Sequence, residues 1–407
     1  MEDFFVYTDH MTVGYDGVPL IRDIQIGVRR GEILTLIGPN GSGKSTILKS
    51  MIRQLRLLGG TVVLDGRSMG ELSEREMARR LSILMTERMR PELMTCWDVV
   101  ATGRYPYTGR LGLLTPVDRQ KVDEALEMVH AREFANCSFS RVSDGQRQRL
   151  LLARAICQEP EVVVLDEPTS FLDIRHKLEL LAILKTMVQE KQVAVILSLH
   201  ELDLAQKISD RVVCVNQRCV ERCGTPEEIF TEEYIRQLYG IERGSYDTDF
   251  GCLEMEPVPG PPKVFVIGGG GSGIPVYRLL QRRSVPFAAG VLHENDMDFP
   301  VARALAAEVV TEKAFEPIGE AACRKALETL SGCERVICCL DQFGTMNRQN
   351  RFLKDYAQQH SLLTDVEEIE RYAASHGYAE RPIQQSADSA STAKTAGMPK
   401  GSKEAWN

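Results

Sequence analysis

No window of this chain carries the ~18 consecutive apolar residues of a membrane-spanning helix. Any membrane process it serves therefore needs other chains to do the spanning. The start of the chain offers no secretory segment, since Asp3 and Asp9 flank only a short apolar run. Basic residues do not dominate: Lys and Arg number 49 against 57 Asp and Glu, for a net charge of −8. That balance argues against a broad nucleic-acid surface, and no nucleic-acid partner is expected. Zinc-ligand pairs are missing too, the 11 cysteines being scattered. Small core residues in a reducing compartment are the reading they support. What the chain does have is length, its 407 residues sufficing for two or more domains with their own cores.

The most informative stretch is Gly38-Pro39-Asn40-Gly41-Ser42-Gly43-Lys44-Ser45-Thr46, which follows the apolar run Ile33 to Ile37 and precedes the helical pattern Ile47 to Ile52. A strand, a glycine-rich turn and a helix place backbone N–H groups and a positive helix end around a phosphate. Gly38 and Gly43 supply the backbone freedom of such a loop. Lys44 can reach the terminal phosphates, and the Ser45 hydroxyl can ligate Mg²⁺. The chain is expected to bind a nucleoside triphosphate.

Four segments are expected. Residues 1–241 alternate strands and helices, with a mainly helical region from Glu87 to Cys157 between two βα stretches, implying a parallel sheet. Residues 242–262 turn to Gly, Asp and Pro and read as a semi-rigid linker. A second βα series fills 263–376, and 377–407 has almost no large apolar residue and reads as a disordered tail.

Val162-Val163-Val164-Leu165-Asp166-Glu167 is an apolar strand ending in two carboxylates. Beside a phosphate loop, Asp166 can hold Mg²⁺ and Glu167 can polarise the attacking water. Val142-Ser143-Asp144-Gly145-Gln146 precedes a helical run, Ser170-Phe171-Leu172-Asp173 follows the acidic strand, and His200 ends the strand Val193 to Leu199. With Tyr15 upstream, this set resembles the nucleotide-binding domain of ABC transporters over Phe4 to Ile241. The resemblance implies an α/β P-loop NTPase fold with a helical subdomain, and ATP hydrolysis with Mg²⁺. It places Tyr15 on the adenine and Gly38 through Thr46 on the phosphates. Ser45, Asp166 and Thr86 fall on the metal, Glu167 becomes the base and His200 the switch histidine. Ser143, Gly145 and Gln146 resemble the signature contacting ATP on a partner subunit, and Asp173 the coupling aspartate, so a head-to-tail homodimer is implied. Three departures stand out. Val142 replaces the signature leucine, Asp144 replaces its first glycine, and Thr86 occupies the place of a glutamine that links metal and water to the helical subdomain.

Asp98 through Tyr107, Leu172 through His176 and Gly224 through Glu228 resemble importer ATPases for iron-siderophore, haem and cobalamin complexes. That implies a peripheral subunit at the cytoplasmic face of the membrane. Separate permeases, fed by a substrate-binding protein, would complete the importer. A soluble ABC ATPase of iron–sulfur assembly is the alternative.

In the later segment, Val264 to Ile267 leads into Gly268, Gly270 and Gly273 at GxGxxG spacing, then a helix, then a strand ending near Glu294 and Asp296. This reads as half of a smaller Rossmann-like parallel α/β domain, with an unidentified nucleotide on the glycines and its ribose on the acids. A glycine-tight turn in a docking domain is the competing expectation, and no residue for hydride transfer stands out.

Overall fold

Alternation along three strands sets the architecture of the nucleotide-binding part. Every residue of Ile33–Ile37, Val162–Asp166 and Ala194–Ser198 is buried, as parallel strands covered on both faces require. Leu34, Leu36, Val164 and Ile196 point to one side, into a core with Val6, Met11 and Ile47. Ile33, Ile37, Val163, Leu165, Val195 and Leu197 point to the other, into a core with Val99, Leu126 and Leu150.

The computed structural model describes residues 3–85, 93–109, 111–170, 172–248 and 251–375. Two compact units divide the chain, Met1–Glu256 and Pro257–Asn407. Thr86 and the segment 377–407, expected as metal ligand and disordered tail, lie outside the described residues.

Among the described residues of the first unit, a six-stranded sheet runs in the order Cys219–Gly224, Arg211–Asn216, Ile33–Ile37, Ala194–Ser198, Val162–Asp166, Leu81–Leu84. All neighbours are parallel except the Cys219–Gly224 edge. A second, antiparallel sheet forms on Val6–Tyr15, which pairs with Val18–Ile24, Gly27–Val28 and Gly59–Leu64. The helical layer holds Cys96–Ala101, Pro116–Met128 and Asp144–Cys157, each opened by a capping box from Thr95, Thr115 and Ser143 respectively.

The segment read as linker, 242–262, departs from that expectation in part. Ser245–Asp247 and Cys252–Glu254 pair as an antiparallel hairpin. Tyr246 is buried 6.5 Å from the Phe230 ring, and its hydroxyl donates to Gln206 Oε1 at 3.2 Å. A single aromatic anchor converts a polar, glycine-containing stretch into ordered structure. The cysteine reading also holds only in part: Cys96, Cys157, Cys214, Cys323 and Cys333 are buried, whereas Cys137, Cys219 and Cys223 are exposed.

The second unit is a five-stranded, fully parallel sheet in the order Glu308–Glu312, Phe287–His293, Val264–Ile267, Arg335–Cys338, Leu363–Thr364. Helices Ile274–Arg282, Asp298–Leu305 and Val366–Ser375 supply one face's core through Tyr277, Leu280, Val301 and Ile369. Helices Glu320–Ser331 and Arg348–Gln359 cover the other through Ala326, Leu330 and Leu353. This is the doubly wound arrangement expected for half of a Rossmann sheet.

One buried ion pair fixes the helical layer. Arg104, 5% exposed, donates through Nε to Asp118 Oδ1 at 3.0 Å and through Nη1 to the Cys157 carbonyl at 2.8 Å and Glu159 Oε2 at 2.9 Å. Burial opposes ionisation of Asp118, but the Thr115 hydroxyl and amide and the Arg104 guanidinium together hold its carboxyl below the usual value. A lowered value in the fold means stabilisation that is present above about pH 4 and fades as the pH falls through the folded value. Arg104→Leu should therefore cost about 3–5 kcal/mol at neutral pH, because Asp118 is left buried without its partner. The deficit relative to wild type should shrink below about pH 4, as read by denaturation at both pH values.

Candidate active site

The C-terminal ends of three parallel strands converge on one carboxylate. Ser45, in the first turn of the helix Lys44–Met51, donates through Oγ to Asp166 Oδ1 at 3.0 Å. Ser198, ending its own strand, donates to the same oxygen at 2.7 Å. The parallel register places Asp166 opposite Ser198 and Leu36 opposite Ser198, so the three strand ends meet. Ser198 Oγ also accepts from the Glu167 amide at 2.9 Å, which fixes the turn that carries Glu167. Glu167 itself sits at φ 49°, in the left-handed region. Its Oε1 and His200 Nε2 share a hydrogen bond of 2.6 Å, and Ser170 Oγ donates to Oε2 at 3.4 Å. Ser198 was absent from the expected set, because a serine inside an apolar strand carries no local signal.

The loop ahead of the helix has the conformation its glycines allow. Gly38 has φ 144° and Gly43 φ 109°, and a Cβ on Gly38 would sit 2.0 Å from the Val215 carbonyl oxygen. Lys44 is buried and folds back over the loop, donating to the Gly38 carbonyl at 2.8 Å and the Pro39 carbonyl at 3.1 Å. Burial lowers its ammonium, while Glu167 and Asp166 act to raise it. Ser42 donates its amide to Pro39 O at 3.2 Å, and its buried hydroxyl has no partner. Asn40 and Gly41 form the outer rim of the loop. A hydroxyl without a partner among the described residues, a lysine bonded to two carbonyls and a helix start together fit a phosphate chain. Ser45 and Asp166 supply the hard oxygens that suit Mg²⁺, which keeps its other positions for phosphate and water.

Tyr15 is half exposed, with its hydroxyl 3.0 Å from Thr46 Oγ1. A flat aromatic face is thereby left at the loop's edge, available for stacking on a base. The residues expected to form the signature lie at the start of another helix. Ser143 caps the helix Asp144–Cys157, accepting from the Gln146 amide at 3.3 Å, while Gln146 Oε1 accepts from the Ser143 amide at 2.9 Å. Gly145 follows in the first turn. The added Asp144 carboxylate is paired with Arg147 at 2.6 Å, one turn along the helix. Gln148 ties this helix to the acidic strand's turn, donating to the Pro168 carbonyl at 3.1 Å. Asp173 caps the helix Ile174–Lys191, and the His176 amide, then its ring, hold the Asp173 carboxyl below its usual value. Among the described residues, Ser143, Gly145, Gln146 and Asp173 make no hydrogen bond to the loop residues Gly38 to Thr46.

The second unit's glycines meet a different environment. The amides of Gly269 and Gly273 donate to Asp298 Oδ2 at 2.6 and 2.9 Å, and the Gly270 amide donates to Asp296. Asp296, expected to hold a ribose hydroxyl, is turned instead onto the loop, because the short connection to the helix Asp298–Leu305 brings both acids beneath the glycines.

Tyr239 was also missed from sequence. It ends the helix Glu232–Tyr239, and its hydroxyl accepts from the Gly38 amide at 3.1 Å. Burial pushes that hydroxyl up to about 12. Separation by 201 positions hides the contact from any local pattern. Tyr239→Phe leaves the Gly38 N–H without its partner at the mouth of the loop. KM for ATP should rise roughly fivefold, corresponding to about 1 kcal/mol, with kcat nearly unchanged in steady-state hydrolysis.

Comparison with known proteins follows the same division. A family model described as ABC transporter matches residues 21–170, and one described as the MJ0874 family matches residues 287–396. The ABC transporter ATP-binding protein MJ0873 of Methanocaldococcus jannaschii is 38% identical over 286 residues, covering 70% of this chain and 99% of that protein. The iron(3+)-hydroxamate import ATP-binding protein FhuC of Bacillus subtilis is 34% identical, over 58% of this chain and 87% of that one. The cobalamin import ATP-binding protein BtuD of Halobacterium salinarum is 33% identical, over 70% and 73% respectively.

Proposed function

The chain belongs to the ABC transporter ATP-binding proteins, an ATP-hydrolysing family, and from that premise we propose that it energises import of an iron chelate through separate permeases. Haem and cobalamin complexes are the neighbouring cargoes. The single observation that carries the ATP-hydrolysing part of the reading is the joining of Ser45, Asp166, Ser198, Glu167 and His200 into one hydrogen-bonded set beside the phosphate loop.

In this reading the Gly38 to Thr46 loop and the first turn of its helix bind the triphosphate, and Lys44 exchanges its two carbonyls for phosphate oxygens. Mg²⁺, held by Ser45 and Asp166, would supply neutralisation of charge on the β- and γ-phosphates. Glu167 accepts the proton of the attacking water. His200 orients that carboxylate through the 2.6 Å bond and stands at the γ-phosphate end of the site. Ser143, Gly145 and Gln146 lie at a helix start whose positive end suits the γ-phosphate of a second copy. The Arg147 partner keeps the Asp144 charge from opposing that contact. Two chains would thus close head-to-tail over two ATP molecules, with Asp173 near the seam.

A groove of about 290 Å³ lies among Met77, Ile83, Gly103, Pro106, Arg154 and Gln158. One wall is the Thr102–Tyr107 turn, whose Pro106 carbonyl accepts from Arg75 and Arg79 and whose Arg104 is the buried anchor described above. A rigid, partly apolar groove at the edge of the helical layer suits an inserted permease segment. No described helix is long and apolar enough to cross a membrane, which fits a peripheral subunit. The cargo assignment is supported by the hydroxamate-import and cobalamin-import names of two relatives.

Glu167→Gln should reduce turnover by about three orders of magnitude or more while ATP stays bound, checked by phosphate release and by retained radiolabelled ATP. Turnover near the wild-type rate would remove Glu167 from its role. Reconstitution with permeases of an iron-chelate or cobalamin importer, in vesicles containing ATP, should drive accumulation of ferric hydroxamate or cobalamin. ATP hydrolysis without accumulation of either, or of haem, would overturn the importer reading.

A further inference from the structure

The second unit carries the strand, glycine loop and helix with which a doubly wound sheet holds a dinucleotide. They lie at the switch point where Val264–Ile267 pairs with Arg335–Cys338. The residues present do not fit that group. A pyrophosphate site offers free amides and a positive helix end. Here the Gly269 and Gly273 amides already donate to Asp298 Oδ2 at 2.6 and 2.9 Å, and the Ile274 amide bonds to the same carboxyl. The Gly270 amide donates to both oxygens of Asp296 at 2.9 Å.

The space under the loop is filled from the same side. Asp298 and Tyr277 are both fully buried. A Cβ on Gly268 would lie 2.6 Å from the Tyr277 hydroxyl and 2.7 Å from Asp298 Oδ2, and one on Gly273 would lie 2.4 and 2.8 Å from them. These glycines are therefore needed to seat two side chains of the unit itself. Among the described residues, the Tyr277 hydroxyl and Asp298 Oδ1 have no hydrogen-bond partner. Packing holds the Tyr277 ring there, and the three amides hold Asp298.

We infer that this loop is a closed anion hole with Asp298 as its resident carboxylate, so that the crevice rejects dinucleotides and other phosphate-bearing ligands. Occupancy removes the amides a phosphate would use, and the Asp296 carboxylate repels one that approaches. The same βα turn that binds phosphate elsewhere serves here as an internal clamp between the glycine loop and the helix Asp298–Leu305.

The test is isothermal titration of the full-length chain with NAD and with FAD, in saturating Mg-ADP so that the first unit's phosphate loop is filled. No heat is expected; stoichiometric binding of either dinucleotide would overturn the inference. Asp298→Ala supplies the second arm, since it leaves three amides without their acceptor. Under the same ADP saturation, inorganic phosphate should bind this variant at least about tenfold more tightly than wild type and raise its melting temperature. A folded Asp298→Ala chain indifferent to phosphate would contradict the anion hole. Should that variant not fold, the wild-type titration decides alone.

Discussion

Everything in the catalytic half depends on one carboxylate held dry. Asp166 is 2% exposed, at the end of a strand whose other residues are all apolar. A charge in that position is tolerated only when hydroxyls or a cation satisfy it. Ser45 and Ser198 donate to it from the two neighbouring chain segments, and that requirement fixes the register of three strands. A one-residue slip of Val162–Asp166 would turn Asp166 into an apolar face and break both bonds at once. The turn bearing Glu167 is fixed by the same Ser198 hydroxyl, so the proposed metal ligand Asp166 and the proposed base Glu167 are positioned by one device.

Much of this was legible in the chain itself. The phosphate loop, the acidic strand end and the helix that starts after Ser143 are local patterns. Each is decided within a few residues, so reading along the chain finds it. The doubly wound second unit was legible for the same reason, its strands being short, apolar and spaced by helices. What stayed hidden were contacts made at long range by ordinary residues. Tyr239 meets Gly38 across the fold, Ser198 hides in an apolar strand, and Arg104 is a surface-type residue that becomes buried by pairing. Tyr246 hid the hairpin for a related reason: one aromatic anchor does not alter a composition that reads as linker.

The two glycine loops show how little a glycine spacing says without its neighbours. In the first unit the loop is lined by Lys44 and by the unpartnered Ser42 hydroxyl, so an anion is the missing partner. In the second, Asp296 and Asp298 already take the amides. Backbone geometry is similar in purpose, yet the sign of the adjacent charge reverses what the loop can accept. The acids lie only a few residues past the strand Phe287–His293, where a ribose-binding acid is expected. Sequence position therefore could not separate the two roles; side-chain direction does.

The central claim is that ATP is hydrolysed in a site completed by a second copy, each chain lending its Ser143 helix to the other's phosphate loop. The most direct measurement is ATP hydrolysis per chain, followed across a wide range of protein concentration at saturating Mg-ATP. The account predicts a rate per chain that climbs with concentration and then levels off as dimers fill. A rate per chain that stays constant down to concentrations where sedimentation finds only monomers would contradict it.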